Sequence, residues 1–379
     1  MSAYRPLGGR ILTPTVIGLA ALAALGFFFL AIRFISGMGA VTNLNGGYAW
    51  GIWVVYDVVV GTAFACGGYA LAIAVYVLNK GQYHPLVRPA LLASLLGYAL
   101  GGFGAFFDMG RWWQFYNILL PWHWNFNSVM LEVGLCVMAY IVVLAIEFSP
   151  AFLERLGLRD IQRKLNKLLF LFIAIGVLLP TMHQSSLGSL LIAMGHKVHP
   201  LWQAMELMPL LAIVTAVTMG FSIVLFEGSM VTAGFKRPSE THLLSGLSRA
   251  ITGLIVVYLV IRFGELLVRG KLGLVFAFDF AALMFWIETA LFLVPLVVLS
   301  SPAKRDSGRA LLIAAVSMLF AGALWRFNAY LITFNPGPGY SYFPSVPEIM
   351  VTVGIVAFEV LVYIVLVRLL PVLHDTRHA

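Results

Sequence analysis

Apolar runs of about 20 residues, parted by short polar segments, recur near 12–35, 51–78, 89–107, 127–148, 167–190, 204–233, 249–268, 274–300, 309–333 and 348–370. A helix rises about 1.5 Å per residue, so each run is long enough to cross a hydrocarbon layer of roughly 30 Å while satisfying its own backbone. The pattern predicts an all-α polytopic membrane protein with about ten transmembrane helices. Span four reads SVMLEVGLCV and span eight LMFWIETALFL, each setting one glutamate in an apolar frame, and spans two and six both carry small-residue runs, GTAFACGG and TAVTMGFS. That echo suggests a single integral membrane domain over 1–379 built from two four-helix bundles, 51–190 and 204–333, with 12–35 and 348–370 as flanking helices.

Composition agrees: 61% of residues are hydrophobic, 11% are charged, and the mean hydropathy is +0.95. Soluble domains carry roughly a quarter charged residues. The first run follows Arg5 and Arg10 but is longer than the roughly 7–15-residue core of a signal peptide, so a retained helix is expected. Of the 24 Lys and Arg, 17 fall at the termini and on alternate loops, and five on the opposite side. The positive-inside rule then makes both termini cytoplasmic. The net charge of +8 is therefore a topology signal, and with no basic folded domain a nucleic-acid partner is not expected. Cys66 and Cys136 lie in spans without CxxC or Cys/His spacing, so no disulfide, metal site or iron–sulfur cluster is expected on this chain.

The opposite, outward side is aromatic. Residues 108–127, DMGRWWQFYNILLPWHWNFN, hold four tryptophans, and NLNGGYAWGIW (43–53) continues the theme. An interfacial belt, a docking surface and the mouth of a flat ligand's site all fit this composition. The Pro/Gly-rich segment 334–348 is expected on the same surface.

Ionisable residues inside a bilayer cost several kcal/mol, roughly, unless paired or hydrated, so each is a candidate for function. Asp57, Glu132, His183, Arg262, Glu265, Asp279 and Arg326 are placed in the outer third by their distance from the span ends. Tyr98, Glu288 and Glu359 fall near the midplane and Glu227 near the cytoplasmic end. A ladder of this kind suits proton transfer. Arg262 with Glu265, and Arg326 with Asp279, also read as structural charge pairs, whereas Glu132, Glu227 and His183 have no same-helix cation nearby. In LLPTMHQSSLGSLLI (178–192), Pro180 bends the helix and Gln184, Ser185 and Ser186 can hold water or join helices. Of His84, His123, His183, His196, His199, His242, His374 and His378, only His183 lies well inside a span. A bis-histidine haem needs two, so the chain is expected to hold no haem.

The segments LNGGYAWGIW, GQYHPLVRPALLAS, LLPTMHQSSLGSL, KVHPLWQ, FSIVLFEGS, RFGEL and FNPGPGYSYFP resemble the NrfD and polysulfide-reductase membrane-anchor family, in its hydrogenase-linked branch, from the N-terminus to the last span. The resemblance implies a haem-free membrane subunit of a periplasm-facing [NiFe] hydrogenase that reversibly passes electrons from hydrogen to menaquinone. It implies as partners the hydrogenase large and small subunits and a ferredoxin-like iron–sulfur subunit at the periplasmic face, with no hydrogenase active site on this chain. By the same resemblance Glu132, His183, Tyr98 and Glu227 transfer protons. A quinone pocket in the first bundle would use Asn45, Tyr48, Trp50 and Asp57, with His123 or His183 standing where the family has a histidine in that stretch. A passive anchor or a secondary transporter remains the rival reading.

Overall fold

The structure is a computed structural model that describes residues 4–238 and 240–374. Among these, ten helices are long and apolar enough to span a membrane: Pro14–Ser36, Trp53–Val77, Gly81–Asp108, Val129–Arg155, Leu169–Lys197, Met205–Phe235, Thr241–Val268, Phe280–Val298, Gly308–Ile332 and Val346–Leu369. We number them one to ten. All ten coincide with the apolar runs. The chief differences lie at the ends, where span seven begins at Thr241, well before its apolar stretch, and span five continues to Lys197, because helix persists through polar interfacial sequence that hydropathy alone does not count.

Burial sorts the spans. The most apolar window of span two is 83% buried, against 67% for span six, 61% for span nine and 22% for span one. Spans two, six and nine therefore form the centre, and span one faces outward. Close backbone approach explains part of this. A Cβ on Gly220 of span six would strike the carbonyl of Cys66 in span two, so only glycine lets these helices meet. Spans one and ten pack on each other at Gly26 and Gly354, where a Cβ on Gly26 would lie 2.8 Å from the Gly354 Cα.

Span two is irregular. It is π-helical over Trp53–Val60 and again over Ile73–Val77. Such wide turns inside a helix commonly mark functional sites, because they re-aim side chains.

The chain ends meet on one face, where Tyr4–Arg5 pairs antiparallel with Leu373–His374. On the other face the loop at 43–52 is tied to the segment before span ten. Glu348 caps that span in a capping box with Ser345, and its carboxylate accepts from Asn43 N at 3.0 Å and Tyr342 Oη at 2.6 Å. Burial, and then this carboxylate, push the Tyr342 hydroxyl pKa well up, so it stays a donor. The two outward loops thus lie together, as the sequence suggests.

Candidate functional site

At the centre, four spans contribute one connected polar group. Tyr98 of span three places its Oη 3.3 Å from His183 Nε2 of span five. Gln184 Nε2 lies 3.0 Å from the same ring nitrogen and 3.2 Å from Thr62 Oγ1 of span two. Arg326 Nη2, from span nine, donates to Gln184 Oε1 at 3.3 Å. Cys66 Sγ is 3.5 Å from Tyr98 Oη, and Tyr140 of span four stands edge-on to Tyr98 with ring centroids 4.5 Å apart. All of these side chains are buried.

Valence settles how the group is wired. A guanidinium only donates, so the Gln184 carbonyl must face Arg326 and its amide must face His183 and Thr62. His183 Nε2 therefore meets donors on both sides and is the acceptor, with the ring proton on Nδ1. The result is a neutral imidazole holding a lone pair toward a tyrosine hydroxyl, an arrangement through which a proton can pass in either direction. No carboxylate takes part.

The structure redistributes the remaining candidates. Span five runs to Lys197, which puts His183 about 16 Å from the helical terminus at Met194, at the middle of the span rather than in its outer third. Tyr98, about 15 Å from Asp108, lies at the same depth. Glu132 is not buried: Ser128 caps the helix, which begins at Val129, and Glu132 sits exposed on its first turn. His123 lies exposed in the short turn Pro121–His123, beside Trp122. Asn45 donates to Ser341 O at 2.8 Å, Tyr48 packs on Phe334 and Tyr342, and Trp50 donates to Tyr330 O at 2.8 Å; all three hold the outer loops together. Asp57 is buried in the π-helical part of span two against Gly104, and its Oδ2 has no partner among the described residues.

Glu227 accepts from Tyr363 Oη of span ten, not from Tyr98. It borders a small pocket of about 30 Å³ on the face of the chain ends, with Arg237, Glu240 and His374. Burial raises the Glu240 carboxyl pKa there, and Arg237 pulls it back. Of the four proton-transfer candidates, then, only Tyr98 and His183 touch.

The charge pairs also change partners. Arg262 faces Glu288 at 3.9 Å, while Glu265 pairs with Arg269 at 2.8 Å. Asp279 caps span eight through Ala282 N at 2.7 Å, leaving Arg326 free for Gln184. One-turn spacing favours Arg262–Glu265 on paper, but Arg262 points into the bundle interior, toward Glu288 of span eight. Thr62 and Tyr140 are site residues that the sequence reading missed, while Arg326 and Gln184, read there as half of a charge pair and as a holder of water, turn out to be partners in the site. An arginine in a span with no same-helix acid was the one available signal.

Ten spans around a buried tyrosine–histidine pair define a polytopic membrane protein with a polar centre. A family model described as "Polysulphide reductase, NrfD" matches residues 40–333, and the chain belongs to that family. It is 51% identical over 371 residues to the "Probable Ni/Fe-hydrogenase 2 b-type cytochrome subunit" of Escherichia coli (strain K12), covering 97% of this chain and 95% of that one. It is 26% identical over 368 residues to the "Menaquinone reductase, integral membrane subunit" of Nitratidesulfovibrio vulgaris, covering 89% and 86%.

The first of these names corrects one expectation. A relative this similar is named a b-type cytochrome, which implies haem, so the expectation of a haem-free chain does not stand. The described residues do not, as placed, form a bis-histidine seat. His183 is enclosed with Nε2 engaged by Tyr98 and Gln184, and the ring contacts of the described histidines are to tyrosines and tryptophans.

Proposed function

We propose that this chain is the quinone-reactive membrane subunit of a [NiFe] hydrogenase complex, delivering electrons from hydrogen to menaquinone. The observation that carries the reading is the near full-length identity to a hydrogenase 2 subunit, supported by likeness to a menaquinone reductase subunit. Electrons would arrive from an extrinsic iron–sulfur subunit seated, with the hydrogenase subunits, on the aromatic loop 108–127. Trp113, Trp122 and Phe126 are 56%, 76% and 84% exposed there, and exposed aromatic side chains of this kind suit a docking surface. That face would be periplasmic and the face of the paired chain ends cytoplasmic, in the inner membrane.

Reduction of a quinone consumes two electrons and two protons. Tyr98 and His183 suit the proton side of that reaction: the hydroxyl gives its proton to a quinone oxygen, and His183, after taking up a supplied proton on Nε2, returns it to the phenolate and becomes neutral again. The reaction centre would lie in the 51–190 bundle, with Asp57 as a further buried acid and Arg326 reaching in from the 204–333 bundle. Glu132, exposed at the outer face, would exchange protons with water there, and Glu227 would do so at the opposite face.

The test is hydrogen-dependent menaquinone reduction by the whole complex, compared with hydrogen oxidation by an artificial dye. His183→Gln is expected to slow the quinone reaction by about 100-fold and leave the dye reaction alone. Equal quinone rates in both proteins would reduce the chain to a passive anchor.

A further inference from the structure

Protons reaching a buried relay need a route from water, and one opens on the face of the chain ends. A cavity of about 250 Å³ lies among spans two to five and the short basic helix Arg159–Asn166. At about 30 Å³ per molecule it has room for about eight waters. Glu147 of span four lines it, together with Tyr76, His84, Arg88, Gln162 and Asn166.

Glu147 stands out because its Oε1 is buried and has no hydrogen-bond partner among the described residues. The cation in the same cavity is committed elsewhere: Arg88 bonds Glu154 at 2.9 Å and the Pro371 carbonyl at 3.0 Å, and it lies over the Tyr4 ring. The carboxylate is nevertheless accommodated, because the facing residue of span five is Gly176, where any Cβ would run into Oε1. A carboxyl whose buried oxygen has no partner, kept beside a polar cavity, either carries a proton or meets water.

The helical repeat connects this point to the relay. Seven residues are close to two turns, or about 10 Å, and return to the same helix face. Seven residues outward from Glu147 is Tyr140, which touches Tyr98. Seven residues outward from Gly176 is His183. Between the two levels, Tyr69 Oη and Thr181 Oγ1 bond at 2.7 Å.

We infer that Glu147 is the inlet through which the Tyr98–His183 relay is supplied from the face of the chain ends. Glu147 takes a proton from cavity water, passes it outward past the Tyr69–Thr181 hydroxyls to His183 and Tyr98, and is reprotonated from the cavity. Two such transfers match the two electrons that hydrogen supplies as it splits into two protons and two electrons, so menaquinone becomes menaquinol. The inference rests on the quinone-reactive reading above, and it assigns the supply to a cavity separate from the smaller one at Glu227.

The experiment uses the whole complex in liposomes, with a pH dye reporting on the side of the chain ends during hydrogen-dependent menaquinone reduction. Glu147→Gln is expected to slow reduction about 100-fold and erase proton uptake from that side. Glu147→Asp should restore part of the rate with an enlarged solvent deuterium isotope effect, which a purely structural residue would not produce. Gly176→Ala, by crowding the carboxyl, should slow the reaction in the same direction. Hydrogen oxidation with a dye reports assembly, and if Glu147→Gln fails to assemble, the Asp and Gly176→Ala variants decide. Glu147→Gln turning over at the unmodified rate, with His183→Gln still slow, overturns the inlet alone. An unmodified complex that reduces no menaquinone overturns the reading on which it rests.

Discussion

Each half of the membrane domain buries one polar node, and the two are built on opposite principles. In the later spans Glu288 is saturated: Trp202 Nε1 donates to it at 2.8 Å, Asn328 Nδ2 at 2.9 Å and Tyr258 Oη at 3.3 Å, with Arg262 3.9 Å away. In the earlier spans the node at His183 and Tyr98 has no carboxylate, and its members can each give or take a proton. A carboxyl group held by several fixed donors has its bonding capacity used up and joins spans seven, eight and nine. A neutral histidine facing a tyrosine is free to change state. Burial alone therefore does not tell the two nodes apart; the chemistry of the groups that meet there does.

Breaking the saturated node should give the largest effect. Glu288→Ala strands the buried Arg262 guanidinium, whose nitrogens have no hydrogen-bond partner among the described residues. Losing one member of a buried ion pair costs about 3–5 kcal/mol. Thermal unfolding in detergent is expected to show a sharply lower midpoint, with electron transfer lost only as the protein unfolds. An unchanged midpoint would remove the contrast between the two nodes.

Tyr98→Phe should do the reverse. Removing one hydroxyl leaves the ring against Tyr140 and the Gln184 amide on His183, so stability should fall by about 1 kcal/mol. Hydrogen-dependent quinone reduction should drop by about 100-fold, because the relay loses its donor. A large loss of stability with the rate kept would make Tyr98 a packing residue.

Arg326→Met sharpens the comparison further. Arg326 is buried without a carboxylate, held by Gln184, the Gly322 carbonyl at 3.2 Å and the Trp325 ring. Exchanging a buried charge for an apolar side chain of similar volume is often neutral or stabilising. The midpoint is therefore expected to hold, while the Gln184 amide, no longer pinned, turns and slows quinone reduction by about tenfold.

Hydropathy made the ten spans legible, and the loneliness of His183 within a span pointed to the buried contact it makes with Tyr98. What stayed hidden depends on contacts that no local spacing encodes. Arg326 and Gln184 are 142 positions apart, and an arginine one turn from a glutamate looks self-neutralised until the structure shows Arg262 turned toward Glu288. Depth was misjudged for a different reason. Counting from the edge of an apolar run places His183 too near the surface when the helix continues through SLLIAMGHK, and it places Glu132 too deep when the helix begins only at Val129, after the Ser128 cap.

Glu132 offers the smallest effect and the finest test. It lies exposed on the first turn of span four, so its carboxyl is solvated and its replacement disturbs no packing. Surface substitutions of this kind change stability by about 0.5 kcal/mol or less. If proton supply to the relay depends on buried groups, Glu132→Gln should slow hydrogen-dependent quinone reduction by less than about tenfold, well short of Tyr98→Phe. A loss as large as that of Tyr98→Phe, with dye-linked hydrogen oxidation intact, would mean that the protons reaching Tyr98 and His183 enter through Glu132 at the outer face. In that case the exposed carboxylate, rather than the buried pair, would limit the reaction.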